Sequence, residues 1–352
     1  MMITTGADLP ALFSITLSVL LSLAIVGQTV LETRGTARPP CKVKEGAKVS
    51  VILPIKGLDP MLRETLKSLI DQDYQNKELI VVLDSTEDPA FPIVREFPVR
   101  VLINRRPCSE CSGKVAAILT AVEEAKGDIL VFADSDTVYP QGWLSCLVSL
   151  VSEDKVATTF PWPFPVSLTL RNALRSGFWT LGFESFFSRP SRFLWGGSMA
   201  FLKSFFTDSV KSALAKAWCD DCTLTALAKA RGMSIEFCSI IPQNWFDEKD
   251  LTSFVKRQVI TVRTYSPRGF RYFMALWGIV LTLLAISPLY PITALPVLAW
   301  IAKNLMRARR AKGPVIPALF SPLGATTAFV VGLLTLRGDQ VVWRGTRIRV
   351  KG

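Results

Sequence analysis

Between residues 48 and 134 the chain repeats a pattern of short apolar runs separated by amphipathic segments. The runs are nearly continuous and rich in β-branched residues, which predicts strands of a parallel sheet covered on both faces. Two intervening segments carry apolar residues at helical spacing, which predicts helices. We predict strands at residues 49–54, 79–84, 99–103 and 129–133, and helices at residues 59–70 and 113–126. The resulting order, β-α-β-β-α-β, is a nucleotide-binding α/β pattern in which ligands bind at the carboxyl ends of the strands.

Acidic residues lie at two of these strand ends. Asp84 ends the second predicted strand and Asp134 follows the fourth, so both side chains are expected in one crevice. Asp84 either accepts a hydrogen bond from a nucleotide or caps the next segment. Asp136 stands two positions after Asp134, and residues two apart in an extended or turning segment face the same side. The pair therefore predicts a divalent metal site for a nucleotide-sugar diphosphate, and the alternative is a solvated turn or helix cap before Pro140.

A second acidic feature is the doublet Asp220-Asp221, which leads into a helix-like run. Sugar transfer with inversion needs a base that takes the proton from the acceptor hydroxyl, and Asp221 is the candidate for it. The alternative is that either carboxylate only caps the helix. The chain contains no histidine, which excludes histidine-based catalysis and histidine metal ligation.

The hydropathy of the whole chain predicts a membrane protein. Its 352 residues are 49% hydrophobic with a mean hydropathy of +0.33, which leaves room for one soluble domain of ~200 residues and several membrane segments. Residues 11–31 are about long enough to cross a bilayer, and the basic residues follow them, so the rest is expected in the cytoplasm. We predict a transmembrane anchor (1–32), a basic junction (33–47), a cytoplasmic catalytic domain (48–265) with an interfacial segment near 250–265, membrane segments (272–336) and a basic cytoplasmic tail (337–352).

The net charge of +12 is concentrated beside the apolar segments, at residues 34–48, 303–312 and 337–351. In those places it attracts anionic lipid and fixes topology. No basic stripe with interleaved aromatics is present in the sequence, so no nucleic-acid partner is expected. Residues 315–336 either cross the membrane or form a re-entrant segment, and we favour a tail that ends inside.

Two Cys-x-x-Cys pairs, Cys108/Cys111 and Cys219/Cys222, occur among the seven cysteines. Their spacing suits a four-thiolate zinc site. A disulfide or a chance pairing is the alternative, and a reducing compartment disfavours the disulfide. We leave zinc outside the predicted site.

Several short motifs carry a resemblance that covers the chain from about residue 10 to its end. They resemble the ceramide glucosyltransferase-like branch of the GT-A glycosyltransferases, including its bacterial hopanoid-lipid relatives. The motifs are Val49-Ser-Val-Ile-Leu-Pro-Ile-Lys-Gly-Leu-Asp-Pro60, Gln72-Asp-Tyr74, Leu83-Asp-Ser85, Asp134-Ser-Asp136, Trp195-Gly-Gly-Ser-Met-Ala200, Asp220-Asp221-x-x-Leu224 and Trp343-Arg-Gly345.

The resemblance implies a Rossmann-like GT-A domain flanked by transmembrane helices. It implies an inverting enzyme that depends on Mn²⁺ or Mg²⁺, uses a nucleotide sugar, usually UDP-glucose, and glycosylates a lipid hydroxyl such as that of ceramide. Carried over to this sequence, Asp84 contacts the nucleotide, Asp134 and Asp136 hold the donor diphosphate and the metal, and Asp221 is the catalytic base.

The same resemblance assigns roles to four further residues. Lys114 matches a basic position near the donor phosphates, and its alternative is solvation of a first helical turn. Gly196 and Gly197 shape the loop at the acceptor entrance, since glycine allows close backbone approach. Trp195 either lines that entrance or is a buried aromatic.

One motif departs from the family pattern. The (Q/R)xxRW motif should follow the base, and the candidate Arg257-Gln-Val-Ile-Thr261 has Ile260 and Thr261 in place of Arg and Trp. The missing arginine normally helps to neutralise the leaving diphosphate. Arg257 or Arg263 can substitute for it, and we favour Arg263 because a helix places it almost a full turn beyond residue 260.

Two alternative functions remain open. The first is another membrane enzyme of the same fold, either a polyprenyl-phosphate sugar transferase or a processive polysaccharide synthase. The small number of apolar spans argues against the synthase. The second is a non-catalytic membrane scaffold that retains the fold, which the altered arginine motif suggests.

Overall fold

The computed structural model describes residues 8–36, 46–104, 110–186, 189–336, 340–343 and 346–349. The chain divides into two compact units. The sheet unit comprises Thr36–Val166 and Ser188–Asp247, and the helical unit comprises Met1–Gly35, Ser167–Phe187 and Glu248–Gly352. The predicted basic junction and basic tail lie for the most part outside the described residues.

The secondary structure agrees with the predicted strands and helices. All four predicted strands and both predicted helices form, and their ends differ from the prediction by at most three residues. The strands are β1 (Val49–Ile55), β2 (Lys77–Leu83), β3 (Arg100–Ile103), β4 (Ile129–Ala133), β5 (Thr137–Val138), β6 (Lys155–Thr158), β7 (Trp162–Pro165), β8 (Ser198–Leu202), β9 (Ser234–Phe237), β10 (Gln243–Phe246), β11 (Gln340–Trp343) and β12 (Thr346–Arg349). The helices are α1 (Asp8–Thr36), α2 (Leu62–Ile70), α3 (Phe91–Val94), α4 (Gly113–Glu124), α5 (Trp143–Leu150), α6 (Leu170–Trp179), α7 (Asp208–Leu214), α8 (Asp220–Ala230), α9 (Leu251–Tyr265), α10 (Pro267–Ala285), α11 (Leu295–Arg310), α12 (Ile316–Leu319) and α13 (Ser321–Leu334).

The sheet unit is built around a seven-stranded mixed sheet with the order β3-β2-β1-β4-β8-β6-β9. Strands β3, β2, β1 and β4 run parallel, whereas β8 is antiparallel to β4 and pairs Ser198 with Ala133. The predicted α/β fold class is confirmed. The residues before β8 consequently lie at the edge where the parallel strands end.

Apolar side chains cover both faces of this sheet. Val51 and Leu53 of β1 pack on one face with Leu66 of α2, and Ile52 packs on the other face with Ile118 of α4. A strand that is buried on both faces needs apolar residues at every position, which explains the continuous runs in the sequence.

Two helices of the helical unit are long and apolar enough to cross a membrane. They are Leu9–Thr33 within α1, with a mean hydropathy of 2.3, and α10, with a mean hydropathy of 1.2. Helix α13 is apolar but shorter, at 14 residues. Two of the predicted membrane segments therefore form helices of spanning length, and the predicted topology stays a prediction.

Part of the basic cluster at residues 303–312 has a role that the sequence analysis did not expect. Lys303 and Arg307 are buried, and both bind the carboxylate of Glu184, at 2.6 Å each. Arg307 also pairs with Glu32 of α1 at 2.7 Å. These two cations therefore do not attract lipid headgroups as predicted, because internal carboxylates engage them. Removing one partner of such a buried pair costs about 3–5 kcal/mol.

Helices α6 and α13 approach each other through glycine. A Cβ at Gly324 would lie 2.0 Å from the backbone nitrogen of Phe178, and a Cβ at Gly177 would lie 2.1 Å from the carbonyl oxygen of Phe320. Both clashes are with backbone atoms, which cannot move aside as a side chain can. The contact therefore requires glycine on both helices.

Gly324→Ala should lower the free energy of unfolding by about 1–3 kcal/mol, the usual cost of overpacking. Thermal unfolding of the detergent-solubilised protein would measure the change. The matched control is Gly27→Ala in α1, where an added Cβ meets nothing within 4 Å, so the free energy of unfolding should change by less than ~1 kcal/mol. Equal losses of stability in the two variants would contradict the close contact.

Candidate active site

Four of the acidic residues singled out in the sequence analysis meet at the carboxyl edge of the parallel strands, namely Asp134, Asp136, Asp220 and Asp221. Asp134 directly follows β4, and Gly196 and Gly197 directly precede β8, which pairs with β4. The backbone nitrogen of Ser112 donates to the carbonyl oxygen of Ala217 at 3.2 Å, which joins the loops that precede α4 and α8. Four separate parts of the sequence therefore converge on one site.

Lys114 is the cation at the centre of this site. Ser112 caps α4 by accepting a hydrogen bond from the backbone nitrogen of Val115, so Lys114 falls in the first turn. Its Nζ lies 2.7 Å from Asp134 Oδ1 and 3.3 Å from Asp220 Oδ2. The alternative of a solvated lysine is wrong, because Lys114 bridges two carboxylates that come from different segments.

Asp221 lies in the first turn of α8, and its carboxylate accepts a hydrogen bond from a residue outside that helix. Its Oδ2 accepts a hydrogen bond of 2.9 Å from the backbone N–H of Gly196. Cys219 is the N-cap residue of α8 and makes no side-chain capping bond. The capping alternative is therefore wrong for Asp221, whose carboxylate is oriented by the glycine loop.

Burial and mutual repulsion shift the pKa values of these groups. Burial, reinforced by the charge of Asp220, raises the pKa of Asp221 to about 7 against the opposing effects of Lys114 and the Gly196 amide. Burial also raises the pKa of Asp134, and Lys114 opposes that shift while Asp136 adds to it. For Lys114 burial lowers the pKa, but the surrounding carboxylates outweigh it, so the net pKa is raised. Asp221 is thus suited to exchange a proton near neutral pH.

The two glycines before β8 allow a close approach of the backbone to the acidic site that any side chain would prevent. A Cβ at Gly197 would lie 2.6 Å from Asp134 Oδ2 and 2.4 Å from the Trp195 ring. A Cβ at Gly196 would lie 2.9 Å from both Asp220 Oδ2 and Lys114 Nζ. Trp195 itself is buried. Of the two alternatives for this residue, the structure agrees with a buried aromatic side chain.

Tyr139 completes the site and was missed by the sequence analysis. Its hydroxyl accepts a hydrogen bond from the backbone nitrogen of Asp134 and donates one to the carbonyl oxygen of Gly197, each at 2.8 Å. It thereby fixes the Asp134-Ser-Asp136 segment to the loop of Gly196 and Gly197. No sequence pattern distinguishes Tyr139 from an ordinary core tyrosine.

The residues present fit a hard divalent cation. Asp134 and Asp136 offer carboxylate oxygens, the ligands that Mg²⁺ and Mn²⁺ prefer, and Asp136 adds to the negative charge that acts on Asp134. Asp136 is held from both sides, since its carbonyl accepts from the backbone nitrogen of Trp245 at 2.7 Å and its Oδ1 accepts from Thr137 Oγ1 at 3.1 Å.

Asp84 lies at the same sheet edge but in a more open place. It follows β2 directly, its side chain is 38% exposed, and it pairs with Lys56 at 3.2 Å. Asn104 donates to its other oxygen at 3.5 Å. The position agrees with the predicted strand end, and the contact with a nucleotide stays a prediction.

The two candidate arginines belong to the helical unit. Both lie on α9, the helix formed by Leu251–Tyr265, and the predicted interfacial location of this segment stays a prediction. Arg263 donates to the carbonyl oxygen of Thr335, and the guanidinium of Arg257 lies 5.7 Å from the centre of the Phe254 ring. Their role towards a donor diphosphate stays a prediction.

The cysteines beside Asp221 form a disulfide, Cys219–Cys222, and a second disulfide joins Cys146 to Cys238. Among the described residues, Cys219, Asp221 and Cys222 form a group of ligand-type side chains within 4.8 Å of one another, but the two sulfurs are bonded to each other. Because zinc needs free thiolates, this disulfide contradicts the four-thiolate zinc alternative, and it is the disulfide that the sequence analysis disfavoured. Cys108 lies outside the described residues.

Comparisons with known proteins point to one family. The model of glycosyl transferase family 21 matches residues 14–352. Among curated proteins, glycosyltransferase GlyA of Streptococcus pneumoniae is 32% identical over 109 residues, 30% of this chain and 15% of the relative. A ceramide glucosyltransferase of Gibberella zeae is 27% identical over 151 residues, 37% of this chain and 29% of the relative. The chain thus spans less than a third of the length of these two relatives.

Among solved structures, a mannosyltransferase from Pyrobaculum calidifontis in complex with GDP-Man and Mn²⁺ aligns with a TM-score of 0.48 and 16% identity. The alignment covers 90% of this chain and 99% of that chain.

Asp221→Asn should remove a pH-dependent loss of stability. Because the folded state raises the pKa of Asp221 from 3.8 to about 7, the stabilisation from holding its proton is present below the unfolded value and is lost as the pH rises through 7. Asparagine stays neutral and can still accept from the Gly196 amide. The melting temperature of the variant relative to the parent should therefore rise by several degrees between about pH 5 and pH 8, at roughly 2–4 °C per kcal/mol.

Thermal unfolding in EDTA over this pH range would measure the difference. The control is Asp208→Asn, since the Asp208 side chain is fully exposed. A difference between the Asp221 variant and the parent that does not depend on pH would contradict the raised pKa.

Proposed function

The chain belongs to glycosyltransferase family 21, and on that premise we propose that it transfers a sugar, glucose in the first instance, from a nucleotide-diphosphate donor to a lipid hydroxyl at a membrane. The proposal names UDP-glucose as the donor and ceramide or a related lipid as the acceptor. The observation that carries it is the convergence of Asp134, Lys114, Asp220 and Asp221 beside the glycine loop.

The donor side of the proposal uses the strand-end residues. Asp84 would contact the nucleotide, Asp134 and Asp136 would hold a divalent cation, and Lys114 would contact the donor phosphates. When bound, Mn²⁺ or Mg²⁺ supplies positive charge that neutralises the departing diphosphate. Arg263 or Arg257 of α9 would add a further cation in place of the arginine that the altered motif lacks.

The acceptor side uses Asp221 as the base. The lipid hydroxyl oxygen attacks the anomeric carbon, the bond from that carbon to the diphosphate oxygen breaks, and the hydroxyl proton passes to Asp221. Attack opposite the leaving group inverts the anomeric configuration. A pKa of about 7 suits this task, because the carboxylate is available at neutral pH and still binds a proton well.

The lipid acceptor and the membrane location rest on two observations. Helices α1 and α10 have the length and hydropathy of membrane spans, and ceramide glucosyltransferases are among the relatives. The basic residues that follow the first apolar segment support our proposal that the sheet unit faces the cytoplasm. We propose Trp195, Gly196 and Gly197 as the acceptor side of the site, because the two glycines bring this loop close to Asp134 and Asp221.

Incubation of the purified protein with labelled UDP-glucose and Mn²⁺ or Mg²⁺ should place label in the lipid phase. The acceptor panel is ceramide, diacylglycerol, polyprenyl phosphate and a lipid extract. Asp221→Asn should reduce transfer by about 10²–10⁴-fold, the usual contribution of a general base, while donor affinity stays near that of the parent because the base acts on the acceptor.

Asp208→Asn, at a fully exposed carboxylate, is the control and should transfer normally. If Asp221→Asn also loses donor binding, the assignment of the base is wrong. Label on polyprenyl phosphate alone would favour the polyprenyl-phosphate transferase, and intact donor binding without any transfer would favour the non-catalytic scaffold.

Asp136→Ala should weaken metal-dependent donor binding by at least about tenfold, because the divalent cation would lose one of its two proposed carboxylate ligands. Titration of UDP-glucose at several Mn²⁺ concentrations would measure it, with Asp208→Ala as the control. Unchanged metal dependence would remove Asp136 from the metal site.

A further inference from the structure

Lys114 joins the two halves of the site. Its ammonium lies 2.7 Å from Asp134, in the proposed metal motif, and 3.3 Å from Asp220, which is next to the proposed base. The side chains of Lys114 and Asp220 are only 20% and 11% exposed. The two carboxylates belong to segments more than 80 residues apart in the sequence, so the lysine is the direct electrostatic link between them.

The site holds more negative than positive charge. Asp134, Asp220 and Asp221 all act on the Lys114 ammonium, and Asp136 repels Asp134 in turn. A buried carboxylate is stable only when it is paired or neutral. In the absence of other cations, Lys114 is therefore the group that compensates Asp134.

The same carboxylate is a proposed metal ligand, which creates a competition. Lys114 engages Asp134 Oδ1 at 2.7 Å, which leaves Oδ2 as the oxygen that Lys114 does not engage at this distance. A divalent cation at Asp134 would thus share one carboxylate with an ammonium. Two cations a few ångströms apart in a partly buried site repel each other, and the double charge of the metal ion increases this repulsion.

We propose that Lys114 is a counter-ion switch that makes metal binding depend on the donor. In the free enzyme Lys114 neutralises Asp134 and keeps the affinity for a lone divalent cation low. The donor diphosphate offers the ammonium a new anionic partner, which releases Asp134 to the metal. The inference rests on the proposed nucleotide-sugar donor, and it adds that metal and donor bind cooperatively through this one side chain.

Metal binding in the absence of any donor tests the switch directly. Lys114→Met removes the charge and keeps the length of the side chain, so Mn²⁺ alone should bind tighter by about tenfold or more. Lys114→Arg keeps the charge and should stay close to the parent. Free Mn²⁺ would be counted by electron paramagnetic resonance, with no reaction turning over.

The coupling between metal and donor is the second readout. In the parent, saturating UDP should tighten Mn²⁺ binding, and by linkage Mn²⁺ should tighten UDP binding by the same factor. In Lys114→Met that factor should fall towards one. Lys155→Met, at an exposed position of β6, is the matched control and should leave both the Mn²⁺ affinity and the coupling unchanged.

The stability of the metal-free protein is the third readout. In EDTA, Lys114→Met should melt at a lower temperature than the parent, because Asp134 and Asp220 lose their counter-ion. Saturating Mn²⁺ should reduce this difference in melting temperature. Lys114→Gln, whose amide can still donate to the carboxylates, replaces Lys114→Met if the latter does not fold.

The outcomes separate this inference from the proposed function. Tighter Mn²⁺ binding and lost coupling in Lys114→Met would support the switch even if no sugar is transferred to lipid. Equal or weaker Mn²⁺ binding in both neutral variants would overturn it and leave Lys114 as a simple phosphate ligand, even if the parent transfers sugar. Absence of Mn²⁺ binding in the parent and in both neutral variants would also overturn it.

Discussion

The antiparallel pairing of β8 with β4 is the constraint on which the site depends. Because Ser198 pairs with Ala133, the chain that enters β8 lies beside the chain that leaves β4. Gly196 and Gly197 are thereby brought to Asp134, and Tyr139 fastens this arrangement by bonding to the backbone of both segments. A parallel β8 would begin at the opposite edge of the sheet, and the glycine loop would be a strand length away from Asp134.

A second constraint is charge compensation in places that water does not reach freely. In the sheet unit one ammonium lies among the carboxylates, and the burial that brings them together raises the pKa of Asp221 into the neutral range. In the helical unit Lys303 and Arg307 are matched by Glu32 and Glu184. The compensation differs in kind, because the helical unit pairs its buried charges closely whereas the site in the sheet unit keeps an excess of negative charge. That excess can be stabilised by a divalent cation.

Much of the fold and the acidic part of the site could be predicted from the sequence, because both are encoded locally. Continuous apolar runs give the strands, and Asp84 and Asp134 follow from where those runs end. The contacts of Tyr139 and Asp220 could not be predicted, since they depend on segments that meet only in the folded chain. The ion pairs of Lys303 and Arg307 with internal carboxylates could not be predicted for the same reason. In the sequence these two residues resemble a basic cluster that flanks a membrane segment.

The position of Lys114 also bears on the base. Its positive charge lowers the pKa of Asp221, although burial and Asp220 outweigh this effect. If the donor diphosphate draws the ammonium towards itself, part of that opposing charge is withdrawn from Asp221, and the phosphates add negative charge to the same site. Both changes increase the proton affinity of the carboxylate. The divalent cation that the switch admits at Asp134 acts in the opposite direction, because its positive charge favours the ionised carboxylate. One lysine would thus relate the metal affinity of Asp134 to the pKa of Asp221.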